Sequence, residues 1–403
     1  MAKPSVVCNI LPPSSWDQTG VLRAMTMVYA AGFLKHGLQP RFIEMDGPRF
    51  PTRLAAAVRR PEVGAVYSIG SWGVDAQIRG GATLYNVLER SGKPFIGHHG
   101  DYPFAPWVVQ KLKHDFPNRI TLYHDERAPG FATEMIETRG VHAHAAQAYC
   151  DFGCHPQRDP TPPSRRPIRL LYVGKHLTTD RARKLVAEKH PAHVQVYEAL
   201  YEQGLREFHR PIWEVCAEAH AANGMPFDPR HKRSHWLLYY AYEAIRSRRR
   251  AMALERLGRH AMHLVLGGDG AMPPQHARSV VRRAVGFREV LRMIDQARAV
   301  IVVQPNHSHG ITERTLTAMY RRSVVVSTPN AFLDANFTAG EDYLRLDGGW
   351  ENLDRQIASL DDARRTDAIA EAGWRRVVGR FSPEATVSRY LEFLDPGRQA
   401  PPR

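Results

Sequence analysis

Residues 299–330 read AVIVVQPNHSHGITERTLTAMYRRSVVVSTPN. An apolar β-branched run (301–303) leads into a polar break with two histidines (306–310). A helical pattern follows, with Leu316, Met319 and Tyr320 on one face, and then a second apolar run (324–326). This is strand, turn, helix, strand. In a parallel α/β sheet such a turn is where phosphates are held, because the first helical amides are unpaired and carry the positive end of the helix dipole. A nucleotide-linked substrate is the first expectation.

Working outward, the alternation recurs. Residues 6–11 form a short apolar run; a polar loop and Gly20 follow. Residues 21–36 then place Leu22, Met25, Val28, Tyr29 and Phe33 at helical spacing, with Gly37 as a C-cap. Strands are expected at 42–44, 63–69 and 94–96, and a helix at 83–90. Alternating strands and helices imply a parallel sheet covered on both faces. The segment 156–167, PQRDPTPPSRRP, reads as a linker. Residues 168–173, IRLLYV, then open a second sheet, continued by 265–266 and 301–303. The expected domains are 1–160 and 161–403, with a helical insertion over 180–262 in the second and the final helix a candidate to pack back on the first. The insertion closes with Arg246, Arg248, Arg249, Arg250, Arg256 and Arg259. A solvated helix face is the favoured reading of these arginines, ahead of a membrane surface or a polyanionic acceptor.

Length and composition set outer bounds. A chain of 403 residues has room for two domains with full cores. No run of about 20 apolar residues exists, so no membrane-spanning helix is expected. The opening, MAKPSVVCNILPP, is too short in apolar residues for a secretory leader. Four irregularly spaced cysteines (Cys8, Cys150, Cys154, Cys216) argue against a disulfide framework and for a reducing cytoplasm. The net charge of +14 attracts phosphates, nucleotides, nucleic acid or an anionic membrane without choosing among them. With no helix-turn-helix, zinc-finger or aromatic RNA-binding pattern, nucleic acid is not an expected partner.

Several segments, in order, resemble the GT-B-type glycosyltransferases. They are DQTG (17–20), KPFIGHHGDYP (93–103), AYCDFGCHP (148–156), RLLYVGKH (169–176), LVLGGDG (264–270), VGFREVLRMIDQARAVIVVQP (285–305), FTAGEDYLRLDGGWENLDRQI (337–357) and RFSPEATVSRYLEFL (380–394). The resemblance implies an α/β GT-B fold of two Rossmann-like domains with a helical insertion in the second. It implies transfer of a sugar from a nucleotide-sugar donor to a glycan, lipid-linked or small-molecule acceptor, with polysaccharide biosynthesis as one setting. No cofactor is expected beyond the nucleotide sugar as substrate. The enzyme is expected in the cytoplasm, with the inner membrane face as a peripheral contact.

The resemblance places donor contacts at Gly20, Gly174, Lys175, Gly268, Asn306, Ser308, His309, Gly310, Ile311, Thr312 and Arg314. Catalytic candidates are His99, Asp101, Lys175 and Glu313, with Asp17 as a further base and His98 as the alternative to His99. An imidazole titrates near neutrality and can bond a sugar hydroxyl. Lys175 and the amides of residues 310–312, with Arg181 or Arg183, suit a departing phosphate. One departure stands out. Many relatives carry E-x7-E around the donor turn; here His309 and Thr317 occupy those places, and Glu313 lies between them. Arg314, in ERTLTAM, instead resembles a divergent branch that includes spore-maturation CgeB-like proteins. The spacing of His307 and His309 supplies no metal set, and GGDG (267–270) lacks the full dinucleotide fingerprint. A non-catalytic binder of anionic polymers and a sugar-nucleotide epimerase remain as alternatives.

Overall fold

The computed structural model describes residues 5–15, 17, 20–47, 49–77, 83–145, 161–175, 180–267, 279–283, 285–304 and 308–394. The chain divides into two compact units, Met1–Cys154 with Phe381–Arg403, and His155–Arg380.

The first unit is built on six parallel strands in the order β2-β1-β3-β4-β5-β6. These are β1 (Val6–Leu11), β2 (Gln39–Glu44), β3 (Val63–Ile69), β4 (Phe95–His99), β5 (Arg119–Tyr123) and β6 (Val141–His144). Five helices join them: α1 (Val21–Lys35), α2 (Phe50–Val58), α3 (Leu84–Ser91), α4 (Pro106–Leu112) and α5 (Ala128–Met135). Sequence reading assigned no strand to β5 or β6. The strands bury Cys8, Ile10, Val66 and Phe95 against Leu54, Val58 and Leu88 of the helices, which is the burial that drives a doubly wound sheet together. The α1 start is set by Gly20, whose φ of 75° is open to glycine, and by Asp17. Both Asp17 carboxylate oxygens accept amide hydrogens, from Leu22 (3.0 Å) and Arg23 (2.8 Å). Asp17 therefore acts as a helix cap, and the expectation of a general base there is corrected. The last helix, α15 (Pro383–Leu394), belongs to this unit: Val387 packs on Gly32 of α1, and Tyr390 stacks on Tyr29 and Tyr67.

The second unit repeats the architecture, in the order β12-β11-β10-β7-β8-β9. Its strands are β7 (Ile168–Lys175), β8 (His263–Gly267), β9 (Val280–Arg283), β10 (Ala297–Val302), β11 (Val324–Ser327) and β12 (Leu344–Arg345). Four helices stand between β7 and β8: α6 (Asp180–Lys189), α7 (Val194–Arg206), α8 (Ile212–Ala222) and α9 (Lys232–Leu257). Further on come α10 (Phe287–Asp295), α11 (Glu313–Tyr320), α12 (Ala331–Asn336), α13 (Leu353–Ala358) and α14 (Ala363–Arg380). The stretch 299–330 forms β10, α11 and β11 as expected. β10 lies parallel between β7 and β11, with Ala299 facing Leu170 on one side and Val324 on the other.

Two expectations about basic segments are corrected. Residues 161–167, the described end of the expected linker, are fastened into the second unit. Ser164 donates through its amide and hydroxyl to Asp367, and the buried Arg166 donates to the carbonyls of Thr161, Ala297 and Arg321 and to Ser323 Oγ. The arginines expected on a solvated face divide: Arg256 and Arg259 are exposed and Arg248 is half-buried, whereas Arg246, Arg249 and Arg250 turn inward. Arg249 is buried, donates to the carbonyls of Gly204 and Glu207 (both 2.6 Å) and lies over the Phe208 ring. Arg246 pairs with Glu243, Arg248 with Glu255 and Arg259 with Asp354. The helix packs on α6, α7 and α8 along one flank and on the sheet through Ala253, Leu254 and Leu257. Its charges must therefore point inward at several positions. Among the described residues, no helix is long and apolar enough to cross a membrane.

Candidate active site

In each sheet the strand order reverses once. The second sheet grows from β7 toward β8 and β9, then from β10 toward β11 and β12, so β7 and β10 flank the switch point. Ligands of open α/β sheets bind beyond the C-terminal strand ends at such a point. Here β7 ends on Gly174 and Lys175, and β10 runs into the turn before α11. Thr312 is the N-cap of α11 but makes no bond to a backbone amide; its hydroxyl meets that of Thr315 at 3.0 Å. The first-turn amides of α11 are thus left uncapped by side chains. Ser308 Oγ meets His309 Nδ1 at 3.0 Å, and the Ser308 and Gly310 carbonyls accept from Ala331 and Asn330, fixing the turn against α12.

Beneath this turn, Gln304 is buried and donates to Thr315 and Ser327, while its Oε1 has no partner. Tyr172 of β7 is also buried, and its hydroxyl has no partner. Three cations act on that hydroxyl: Arg250 and Arg246 from α9, and Arg314 from α11. Burial pushes the Tyr172 hydroxyl up; the three guanidinium groups pull it the other way. Arg246 is held by Glu243, and Arg314 is only loosely paired with Glu313, at 3.9 Å. Arg250 is half-buried and makes no hydrogen bond or ion pair with another described residue. Burial, and the like charges of Arg246 and Arg314, bring it down to about 10, so it stays cationic at neutral pH. A buried orphan hydroxyl among three arginines is a site short of an anion. Sequence reading passed over Tyr172 and took Arg246 and Arg250 for surface. Their i,i+4 spacing was the available signal, because it puts both on one helical face.

The first unit gathers histidines at its C-terminal strand ends. His98 and His99 end β4 and point to opposite faces, as neighbours in a strand must. His98 Nε2 donates to the Ala145 carbonyl (3.1 Å), and the single lone pair of Nδ1 faces the Tyr29 and Tyr390 hydroxyls, which also bond each other. His124 lies edge-on to it, ring centres 4.5 Å apart. His99 is equally buried, stacked on Tyr123, with Nε2 2.9 Å from Ser71 Oγ. Burial, then the charges of His124 and His99, hold His98 well below its ordinary range; burial, then Arg119 and His142, do the same for His99. Both rings are neutral at physiological pH. Neither matches the expectation of an open imidazole titrating near 7, because each is packed and engaged.

The remaining expected residues fall as follows. Asp101 is exposed and accepts from the Trp107 indole at 3.0 Å. Glu313 opens α11, next to Arg314. Arg183 is exposed and paired with Glu198. Thr317, one of the two E-x7-E places, lies on the buried face of α11. Ile311 is buried as well. Gly268, Asn306, Cys150 and Cys154 lie outside the described residues, as does the Lys175 side chain. Gly174 and Gly310 close on the second switch point from adjacent strands, whereas Gly20, His99 and Asp101 sit in the first unit. Among the described residues no group of three His, Cys, Asp or Glu side chains is placed to hold a metal.

Residues 248–392 match the sequence family described as glycosyl transferase-like, a stretch that includes Arg250 and Arg314. Among solved structures, the chain is similar to an alpha-glucosyltransferase in complex with UDP and a 13-mer DNA containing an HMU base (TM-score 0.53, 8% identity, covering 97% of this chain and 100% of that one). It is also similar to an alpha-glucosyltransferase in complex with UDP-glucose and DNA containing an abasic site (TM-score 0.51, 7% identity, 96% and 99%). A third is sucrose-phosphate synthase from Thermosynechococcus elongatus (TM-score 0.50, 10% identity, 96% and 98%). No curated protein matches the sequence. Two Rossmann-like units in one chain are the fold of the GT-B type. The chain has the GT-B type of fold, and residues 248–392 are glycosyltransferase-like in sequence, which supports glycosyl transfer as its general activity.

Proposed function

We propose that the protein transfers a sugar from a nucleotide-sugar donor to a glycan, lipid-linked or small-molecule acceptor, with the donor bound at the switch point of the second unit. The observation that carries this is the unpartnered Tyr172 hydroxyl among Arg246, Arg250 and Arg314. When a sugar–phosphate bond breaks, negative charge gathers on the departing diphosphate. Fixed guanidinium groups and helix amides stabilise that charge without reorganising. Arg250 and Arg314 are placed to do this, and the uncapped start of α11 adds its amides. Lys175, at the end of β7, is retained as a further phosphate contact. The reaction as proposed uses no catalytic metal, positive charge being supplied by the arginines.

The structural neighbours in complex with UDP or UDP-glucose are consistent with a donor of this kind. The net charge of +14 favours a second reading, a binder of anionic polymers. Against it, Arg246, Arg248, Arg249 and Arg259 of the basic stretch already have partners. Calorimetric titration with a panel of nucleotide sugars separates the two. Selective, saturable binding is expected, weakened about 10- to 100-fold by Arg250→Gln or Arg314→Gln, the loss of one charge-assisted bond. Binding that ignores the nucleotide, falls steeply with salt and is unchanged in both variants would favour the polymer binder.

A further inference from the structure

We infer that Arg119 and Ser71 fix the tautomer of His99, so that it carries its proton on Nδ1 and acts as a hydrogen-bond donor instead of a base. The role in transfer rests on the glycosyl-transfer reading; the tautomer does not.

Ser71 follows β3 with φ at 52°, the left-handed region that non-glycine residues seldom adopt. Such a conformation persists only where its surroundings hold it. Here the holder is Arg119, which is fully buried at 0% exposure. One terminal nitrogen donates to the carbonyls of Lys111 (2.6 Å) and His114 (2.9 Å), and the other to Ser71 Oγ (3.0 Å). A guanidinium only donates, so Ser71 Oγ is an acceptor on that side and has one proton left to give. Its neighbour is His99 Nε2, at 2.9 Å.

Space around the oxygen is closed. A Cβ placed on Gly97 would come within 2.0 Å of Ser71 Oγ, so the hydroxyl fills the room that glycine leaves. If His99 instead donated from Nε2, the serine proton would be buried without an acceptor. The arrangement that satisfies both the Ser71 oxygen and its proton sends Arg119 N–H to Ser71, Ser71 O–H to Nε2, and leaves the imidazole proton on Nδ1. His98 has the reverse tautomer, since its Nε2 must donate to the Ala145 carbonyl. Two adjacent histidines at the end of β4 are thus locked in opposite forms.

The chemical consequence is definite. With Nε2 occupied and Nδ1 protonated, His99 has no lone pair with which to take a proton from an attacking hydroxyl. It can give a hydrogen bond to a sugar oxygen. Ser71 and Arg119 are positioning residues that act through it.

The test uses the full chain labelled with 15N-histidine. Proton–nitrogen correlation spectra at pH 7.5 are expected to show His99, assigned with a His99→Gln variant, bare at Nε2 and protonated at Nδ1. Ser71→Ala should shift the ring toward the other tautomer. Gly97→Ala, which displaces the serine oxygen without removing it, should do the same. With a nucleotide sugar that the enzyme turns over, both variants are expected to lower kcat about 10- to 100-fold, the loss of one aligned hydrogen bond, with the donor KM within about twofold. A wild-type His99 protonated on Nε2 overturns the inference whatever the reaction. A shifted tautomer with unchanged kcat overturns its part in transfer. No turnover of any nucleotide sugar by the wild type removes the glycosyl-transfer reading and His99's role with it, while the spectrum still decides the tautomer.

Discussion

Lowering the pH from 7.5 to 5 is expected to destabilise the first unit by several kcal/mol. Four of its histidines are buried in the neutral form. Burial, with neighbouring positive charge, holds His98 and His99 far below the ordinary 6.5. Burial brings His124 down to about 4, and burial with His124 and Arg389 brings His144 down to about 3. Below pH 6.5 the unfolded chain binds protons at these positions and the folded chain does not. Stability is therefore fully present above 6.5 and is lost as the pH falls toward the folded values. Each group contributes up to about 1.4 kcal/mol per pH unit in that window. For His124 alone the loss by pH 4 is about 3 kcal/mol. Urea midpoints measured at half-unit intervals should fall steadily below pH 6.5. His124→Phe should reduce the slope by about one proton. A midpoint that is flat from pH 7.5 to 5 would show that these rings are protonated in the folded state.

Arg166→Ala is expected to cost the second unit on the order of 3–5 kcal/mol. Arg166 is buried, and its guanidinium binds the Thr161, Ala297 and Arg321 carbonyls and the Ser323 hydroxyl. Those acceptors come from the segment before β7, the start of β10, the end of α11 and the residue before β11, so a single side chain ties the start of β7 to the base of its neighbours. Truncation leaves several buried acceptors without donors, and each costs more unpaired than the bond gave when made. The charge itself persists: burial lowers Arg166 only to about 10, still cationic at pH 7. A unit of this size should lose about 10 °C in thermal midpoint. Arg183→Ala, which removes an exposed pair with Glu198, serves as the comparison and should change little. Equal midpoints for the two variants would mean that the buried acceptors find water or new partners.

The sequence declared most of the scaffold. The runs at 6–11, 63–69, 168–173 and 301–303 are dominated by β-branched and apolar residues, broken only by Asn9, Ser68 and Arg169 among polar ones, because both faces of a parallel sheet are covered, and that signal needs no tertiary knowledge. β5 escaped because Arg119 opens it, and a charged residue at a strand start reads as a loop. The carbonyls of Lys111 and His114 and the Ser71 hydroxyl, all supplied from outside the strand, make that charge tolerable inside. β6, VHAH, escaped for a similar reason: two histidines in four residues are polar on paper and buried or half-buried in the fold. The same limit applies to the candidate site. The turn before α11 was visible as a polar break between apolar runs. Asp17 was misread because a capping carboxylate and a catalytic one look alike until their partners are placed. Tyr172 and Arg250 were invisible as a pair, since 78 positions of helical chain separate strand from helix and periodicity reports only local neighbours.

The return of α15 to the first unit has a consequence for biosynthesis. Tyr390 closes over Tyr29 and His98, and Val387 fills the notch at Gly32. As the polypeptide leaves the ribosome, the lobe whose strands emerge earliest lacks its covering helix until residues 383–394 have followed. The lobe encoded between the two parts of the first is complete by Arg380 and can be finished before it. A stop codon ahead of Phe381 would therefore injure the unit encoded first, and a nascent chain stalled before α15 would expose tyrosine rings to chaperones.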